Sequence, residues 1–220
     1  MTKITLSFDN GPDPEITPHV LKVLRHHEIK GSFFVLGDKL RDRRKLCDMA
    51  YADGHWIGNH TYNHLVPLGM SLERGYAAAE ITRTQELLGD LAHPRRFFRP
   101  YGAGGILDCR LLNREAVDCL VLGRYTCVIW NVVVDDWVYP ETWVERALDR
   151  CFATQEALLV LHDLPTGAMN KLDAFILAAQ DRGATFRQEF PNSCVPIERG
   201  LRVSSIDHLV SDMHPSDAVS

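Results

Sequence analysis

Short apolar runs alternate with longer amphipathic stretches along nearly the whole chain. Apolar runs typical of buried strands cover residues 4–8, 29–37, 125–134, 157–163 and 184–188, and residues 55–60 and 95–105 each predict a short strand that runs into a loop. Apolar residues at helical spacing lie between them, at residues 17–27, 39–53, 71–91, 111–122, 141–153 and 172–182. This alternation is typical of βα units around a largely parallel sheet, and the number of units favours an α/β barrel, regular or distorted, over an open sheet.

Local signals predict where individual elements begin and end. Thr17 followed by Pro18 predicts a hydroxyl-capped helix start, and Ser71 is predicted to open the longest helix. The loop after the first strand has the composition of a turn, in which Asn10 tolerates left-handed backbone.

Composition excludes several classes of partner. The formal net charge of −5 with mixed signs gives no basic stripe, so nucleic acid is not an expected partner. No apolar run approaches the roughly 20 residues of a membrane span, and no GxGxxG follows a strand to support a dinucleotide site. The six cysteines lack CxxC spacing and are expected to be reduced and mostly buried. Together with a first strand that starts directly after Lys3, they favour a cytoplasmic protein.

The 220 residues suit one sizeable core. We expect a single barrel domain over residues 1–190, followed by a C-terminal extension over residues 191–220. The extension is predicted to pack on the barrel rim, to form a homodimer contact or to be partly disordered, because its end is polar.

Polar side chains gather where the predicted strands end. Chemistry in parallel barrels lies in the loops that leave the C-terminal ends of the strands, so these side chains are expected to meet. They are Asp9 with Asn10, His60 with His64, Arg99 with Pro100 and Tyr101, Asp135 and Asp136 with Trp137, and His162 with Asp163. Each group alone has an ordinary explanation in turn chemistry, surface polarity or core packing. Their shared position favours one common site.

Two of these groups carry their own chemical signal. His60 and His64 are four residues apart, so on a helical turn both imidazoles would face one metal ion, although this spacing alone is a weak motif. His162 stands at the end of a buried strand, between water and the low-dielectric interior, where the pKa of an imidazole is readily shifted.

Five motifs in this order resemble the polysaccharide deacetylase family, also called the NodB homology domain or carbohydrate esterase family four. They are SFDNGP, HTYNH, FRPYG, WNVVVDDW and LVLHD, and the resemblance spans about residues 4–186. It implies a distorted (β/α) barrel with seven regular units. It also implies a hydrolase of non-peptide C–N bonds that removes acetyl from N-acetylglucosamine with the help of a divalent metal, zinc first and cobalt or nickel next.

The resemblance also implies a role for each residue of the motifs. Asp9 would be the general base, His162 the general acid, Asp136 the partner that orients His162, Arg99 a support for the acidic cluster, and the Tyr101 N–H an oxyanion donor. Trp137, Tyr101 and Pro100 would contact the carbohydrate, and His60, His64 and Asn10 would hold the metal.

Asn10 departs from the family pattern, which has a second aspartate at this position. An amide oxygen is neutral and a poorer zinc ligand than a carboxylate. Three interpretations stay open: a weak metal site with modest activity, a metal-independent hydrolase of small cyclic ureides or imides, and a catalytically silent carbohydrate-binding domain. Val133 replaces a further aspartate of the pattern, and the single Pro100 leaves the register of Tyr101 open by one residue.

Overall fold

A curled sheet with helices packed on its outer face forms the protein. The computed structural model describes residues 1–212. Its strands are β1 Lys3–Gly11, β2 Ser32–Val35, β3 Trp56–Asn59, β4 Phe97–Phe98, β5 Thr126–Cys127, β6 Val132–Val133, β7 Glu156–His162, β8 Thr185–Arg187, β9 Ile197–Glu198 and β10 Leu201–Arg202. The helices are α1 Ile16–His26, α2 Gly37–Ala52, α3 Tyr76–Leu88, α4 Arg114–Leu122, α5 Trp143–Phe152 and α6 Leu172–Asp181.

Seven strands run parallel in the order β5-β4-β3-β2-β1-β7-β6, with the longest strand, β1, near the centre. Within the described residues, β5 and β6 do not pair with each other, so the sheet curls without closing. This arrangement confirms the prediction of a distorted barrel. The short strand β8 pairs with the first residues of β1, on the N-terminal side of the β2 pairing.

The strand predicted over residues 125–134 is two strands in the structure. The chain leaves β5 after Cys127, and the Val128 N–H still bonds to the Phe98 carbonyl. Asn131 already belongs to the other side of the sheet, because its side chain accepts the Leu158 N–H at 2.7 Å. Residues 128–131 therefore cross the opening of the barrel, and this crossing interrupts an apolar run that reads as one strand.

Two helices begin elsewhere than predicted. Asp13 is the side chain that caps α1, because its Oδ1 accepts the N–H groups of Glu15 and Ile16 at 3.0 and 2.9 Å. Thr17 is not the cap, because it is the second residue of α1; its hydroxyl accepts the Asp13 N–H and donates to the carboxylate of Asp163. Helix α3 begins at Tyr76 rather than at Ser71, after a glycine, Gly75, with φ of +87° that no helix accommodates.

The core lies mainly between the sheet and the helices. Helix α1 buries Val20, Leu21 and Leu24 against the strand residues Ile4 and Phe8 of the same cluster. Each such aliphatic side chain contributes about 1.5–3 kcal/mol when it is removed from water. A second cluster joins α3 and α4 to β4, β5 and the C-terminal residues.

The described part of the C-terminal extension adds to the sheet edge. Strand β9 pairs antiparallel with β5, β10 pairs with β9, and Cys194, Ile197 and Leu209 are buried. Residues 213–220 of the predicted extension lie outside the described residues. Four of the six cysteines are buried, as predicted, and no helix within residues 1–212 is long and apolar enough to cross a membrane.

Candidate active site

The C-terminal ends of the parallel strands surround a cavity of about 250 Å³. The structure brings seven of the ten predicted site residues to its wall: Asp9, Asn10, His60, His64, Tyr101, Trp137 and His162. Arg99 and Asp136 are fully buried behind this wall and act through its residues. Pro100 is buried and is not among the residues that line the cavity, so its predicted contact with substrate has no support.

Asp9 is held by a buried ion pair. Its Oδ1 accepts a hydrogen bond from Arg99 Nη1 at 2.8 Å, and the same nitrogen donates to the Ser7 hydroxyl at 2.8 Å. The Arg99 guanidinium lies 4.0 Å above the Phe34 ring and has no exposed surface. These contacts fix one carboxylate oxygen of Asp9 and leave Oδ2 directed at His60 Nε2, 3.7 Å away.

Asn10 has the left-handed backbone that its residue type predicted, with φ of +70°. The β1–β2 register shifts between Asp9 and Gly11, so Asn10 forms a bulge at the end of the strand. Its carbonyl accepts a hydrogen bond from Lys39 Nζ at 2.6 Å. Its side-chain Oδ1 is buried and has no hydrogen-bond partner within the described residues.

His60 and His64 lie on an irregular loop after β3, not on the predicted helical turn. Thr61 and His64 have φ of +70° and +56°, which ordinary helices exclude. The two rings nevertheless meet, with centroids 5.0 Å apart. The His60 Nδ1–H donates to the Arg99 carbonyl at 2.9 Å, which leaves the Nε2 lone pair free to bind a metal. His64 stacks on the ring of Tyr101 with 3.7 Å between centroids.

A buried glutamate that the sequence analysis missed holds this loop. Glu80 Oε2 accepts the N–H groups of Tyr62 and Asn63 at 2.9 and 3.0 Å. Glu80 is 3% exposed and shares the buried face of α3 with Ala77 and Ile81. A charged residue on an apolar helix face is the sequence signal that identifies such a side chain.

Both imidazoles of the loop are held neutral. Burial lowers the pKa of His60, and burial together with the neighbouring His60 lowers the pKa of His64 to about 3. Neutral imidazole is the form that binds a metal.

His162 has the opposite electrostatics. Its Nδ1–H donates to Asp136 Oδ1 at 2.8 Å, while the backbone N–H donates to Asp136 Oδ2 at 3.0 Å. Burial lowers the pKa of His162, but the hydrogen bond and charge of Asp136 outweigh it, and the net pKa is raised. Trp137 meets the imidazole edge to face, with ring centroids 4.6 Å apart.

A glycine-rich loop that follows Tyr101 forms one wall of the cavity. Trp130 Nε1 donates to the Gly105 carbonyl at 2.8 Å, and a Cβ added to Gly102 would lie 2.2 Å from the Trp130 indole. The indole therefore fixes the loop and requires glycine at position 102. Trp130 and Val160 lie within the motifs but had no predicted role, Leu164 lies just outside them, and Val133 adds a further apolar surface.

Asp163 is a second buried acid that the sequence analysis left without a role. Thr17 donates to one of its oxygens, and a Cβ on Gly11 would lie 2.3 Å from either oxygen, so the carboxylate packs directly under the loop that carries Asn10. Burial raises its pKa to about 7. Asp163, which directly follows β7, thus packs against the end of β1 and bonds to α1.

The donors on the wall fit a divalent cation. His60 Nε2, a neutral His64 and the Asn10 amide oxygen are all metal-binding groups, and the Asp9 carboxylate lies beside them. The buried, unpartnered Asn10 oxygen is the observation that supports the fit, because a buried acceptor without a partner costs about 1–3 kcal/mol. A bound cation would relieve that cost.

Comparisons with known proteins agree with this geometry. A family profile described as polysaccharide deacetylase matches residues 2–113. A chitooligosaccharide deacetylase of Sinorhizobium fredii is 30% identical over 165 residues, which cover 73% of this chain and 71% of the relative.

Two peptidoglycan deacetylases are also similar. The peptidoglycan-N-acetylglucosamine deacetylase of Listeria monocytogenes is 27% identical over 84% of this chain, and the chain spans only 37% of that protein's length. The crystal structure of a peptidoglycan N-acetylglucosamine deacetylase superposes with a TM-score of 0.73 and 26% identity, over 90% of this chain and 89% of the other.

The buried pair predicts a stability effect. Asp9→Ala leaves the Arg99 guanidinium buried without its carboxylate, so we expect the free energy of unfolding in urea to fall by about 3–5 kcal/mol. The double variant Asp9→Ala/Arg99→Met, which removes the stranded charge, should recover part of this loss. If Asp9→Ala unfolds at the wild-type urea concentration, the pair does not constrain the fold.

The second acidic contact predicts a pKa effect. Asp136→Asn removes the charge that raises the pKa of His162 but leaves the imidazole buried. The pKa of His162 should therefore fall, and NMR titration of the imidazole measures it. A raised pKa of His162 contributes stability that is fully present below the unfolded pKa of about 6.5 and is lost as the pH rises through the folded pKa. Asp136→Asn should therefore lower the free energy of unfolding at low pH.

Asp135→Asn is the matched control for this titration, since Asp135 pairs with Arg146 at 2.8 Å instead. It should leave the pKa of His162 in place. An unchanged His162 pKa in Asp136→Asn would contradict the assigned cause.

Proposed function

The chain belongs to the polysaccharide deacetylase family, and on that premise we propose that it hydrolyses the acetamide of N-acetylglucosamine units in a carbohydrate. The observation that carries the proposal is the meeting of two buried acid–base groups at the ends of neighbouring strands in the wall of one cavity: the Asp9 carboxylate on β1 and the His162–Asp136 pair on β7. An amide is a poor electrophile, so its hydrolysis needs an activated water, a stabilised oxyanion and a proton for the leaving amine.

Asp9 suits the role of general base. Arg99 holds its Oδ1, so the free Oδ2 faces the cavity and can take a proton from water. His162 suits the role of general acid, because Asp136 keeps its imidazole protonated and oriented. The leaving amine of the sugar would receive that proton.

The oxyanion and the sugar need further contacts. The Tyr101 N–H at the start of the glycine-rich loop is the proposed oxyanion donor, and the Trp130–Gly105 hydrogen bond keeps that loop in place. Trp137 offers an indole wall for a sugar face.

We propose zinc as the metal, held by His60, His64 and Asn10. When bound, the cation would polarise the acetyl carbonyl and lower the pKa of a nearby water. Relatives that act on peptidoglycan and on chitooligosaccharides support an N-acetylglucosamine substrate for this chain. A cytoplasmic location stays a prediction, as does a homodimer.

Acetate release tests the proposal directly. Purified protein supplied with Zn²⁺, Co²⁺ or Ni²⁺ should release acetate from chitooligosaccharides or from N-acetylated peptidoglycan fragments. His162→Gln should lower the rate by about 10²–10⁴-fold in protein that is still folded at the assay temperature, as circular dichroism would show. Turnover of cyclic ureides without acetate release would support a small-molecule amidohydrolase instead, and no turnover of any of these substrates would support a silent binding domain.

Reverting the family departure gives a second prediction. Asn10→Asp supplies an anionic oxygen in place of a neutral one, so the dissociation constant for Zn²⁺ should fall by about tenfold, or about 1.4 kcal/mol, and acetate release should rise. A chelator-competition titration measures the metal affinity separately from the rate. Asn10→Ala is the control that should weaken binding. If Asn10→Asp and the wild type bind Zn²⁺ with equal affinity, Asn10 is not a ligand of the metal.

A further inference from the structure

A second cluster of metal-binding side chains lies between the end of α1 and the start of α6. His26 is the last residue of α1, His27 caps that helix, and Asp173 stands in the first turn of α6. One donor atom from each of the three lies within 4.8 Å of the other two, which holds for no other group of His, Cys, Asp or Glu among residues 1–212. None of the three lines the catalytic cavity.

The contacts within the cluster are close. His27 Nε2 and Asp173 Oδ1 are 2.7 Å apart, and the two imidazole rings meet edge to face with centroids 4.9 Å apart. Consecutive residues inside a helix point in different directions. His27 has left the helix, with φ of −91° and ψ of 2°, and this change of backbone accompanies the approach of its ring to that of His26.

The local charge favours a cation. The C-terminus of α1 carries a partial negative charge, and Asp173 adds a carboxylate. The basic residues next to the cluster in sequence form ion pairs with other acids: Arg25 with Asp53 and Lys171 with Glu141, each at 2.6 Å. The Asp173 side chain is 52% exposed, so water can reach the cluster and complete a coordination shell.

We propose that His26, His27 and Asp173 bind a divalent transition metal, with Zn²⁺ as the reference ion and Ni²⁺ or Cu²⁺ as alternatives of the same ligand chemistry. Two imidazoles and one carboxylate suit these ions, whereas Mg²⁺ and Ca²⁺ prefer oxygen ligands throughout. Each imidazole contributes one neutral nitrogen, Asp173 contributes one oxygen, and water occupies the remaining positions.

The position of the cluster gives the metal a structural effect. Helix α1 follows the strand that carries Asp9 and Asn10 near its C-terminal end, and α6 follows the strand that ends at His162. An ion held by both helices would therefore link the two segments that continue from the catalytic strands. An ion that binds the folded chain and not the unfolded one raises its stability, so Zn²⁺ should raise the thermal unfolding midpoint.

Calorimetric titration of the untagged full chain with Zn²⁺ alone tests the proposal. Asp173→Asn and His26→Gln should each bind one equivalent fewer than the wild type, whatever number the wild type binds. The comparison is a difference, so it does not depend on whether the catalytic cavity holds zinc or the chain has deacetylase activity. Asp181→Asn is the matched control, because it removes a carboxylate from the same helix and should retain the wild-type number.

Thermal unfolding separates a metal site from a simple hydrogen-bonded pair. Asp173→Asn weakens the contact with His27 in either case, so its midpoint without metal can fall. Zn²⁺ should raise the thermal unfolding midpoint of Asp173→Asn and of His26→Gln by less than it raises that of the wild type. The increase in Asp181→Asn should equal the wild-type increase. If both variants bind as many equivalents as the wild type and keep the full zinc-dependent shift, the cluster is not a metal site.

Discussion

The buried pair of Arg99 and Asp9 is the interaction on which the catalytic end of the barrel depends. A guanidinium without exposed surface is costly unless a carboxylate offsets its charge and acceptors receive its N–H groups. Arg99 Nη1 donates to Asp9 and Ser7 on β1, and Nε donates to the Val128 carbonyl of the segment that crosses the barrel opening, while Nη2 has no partner within the described residues. Its own carbonyl accepts the Nδ1–H of His60. One residue therefore orients the proposed base and a proposed metal ligand together.

The same design recurs around the cavity. Asp136 orients His162, Glu80 holds the loop of His60 and His64, and Asp163 lies beneath the turn of Asn10. Each is buried, and a buried charge is a costly way to stabilise a fold. Their value lies in positioning, because Asp136 bonds directly to His162, while Glu80 and Asp163 contact the backbone of the loops that carry His60 and Asn10.

The barrel and the meeting of the main site residues could be predicted from the sequence, because the order of the strands and of the motifs determines which loops meet. The parallel barrel and the convergence of Asp9, His60 and His162 follow from apolar periodicity and from the ends of the strands. The conformation of the histidine loop did not follow, since Thr61 gives no local signal of its positive φ. The sequence shows one continuous apolar run where the structure has β5 and β6. The division depends on tertiary structure, because β5 pairs with β4 and β6 pairs with β7.

Asn10 keeps the backbone conformation that suits this position but changes the charge of the site. Asparagine adopts left-handed backbone as readily as aspartate does, so the bulge at residue 10 suits either residue type. The site carries one negative charge fewer than it would with aspartate at residue 10, while Lys39 places a positive charge on the backbone carbonyl of Asn10 and Arg99 already pairs with Asp9. Electrostatic attraction for a cation is therefore reduced, yet the buried Oδ1 still lacks a partner within the described residues. On the proposed assignment of Asn10 as a metal ligand, we therefore expect a weaker metal site rather than one that lacks a ligand.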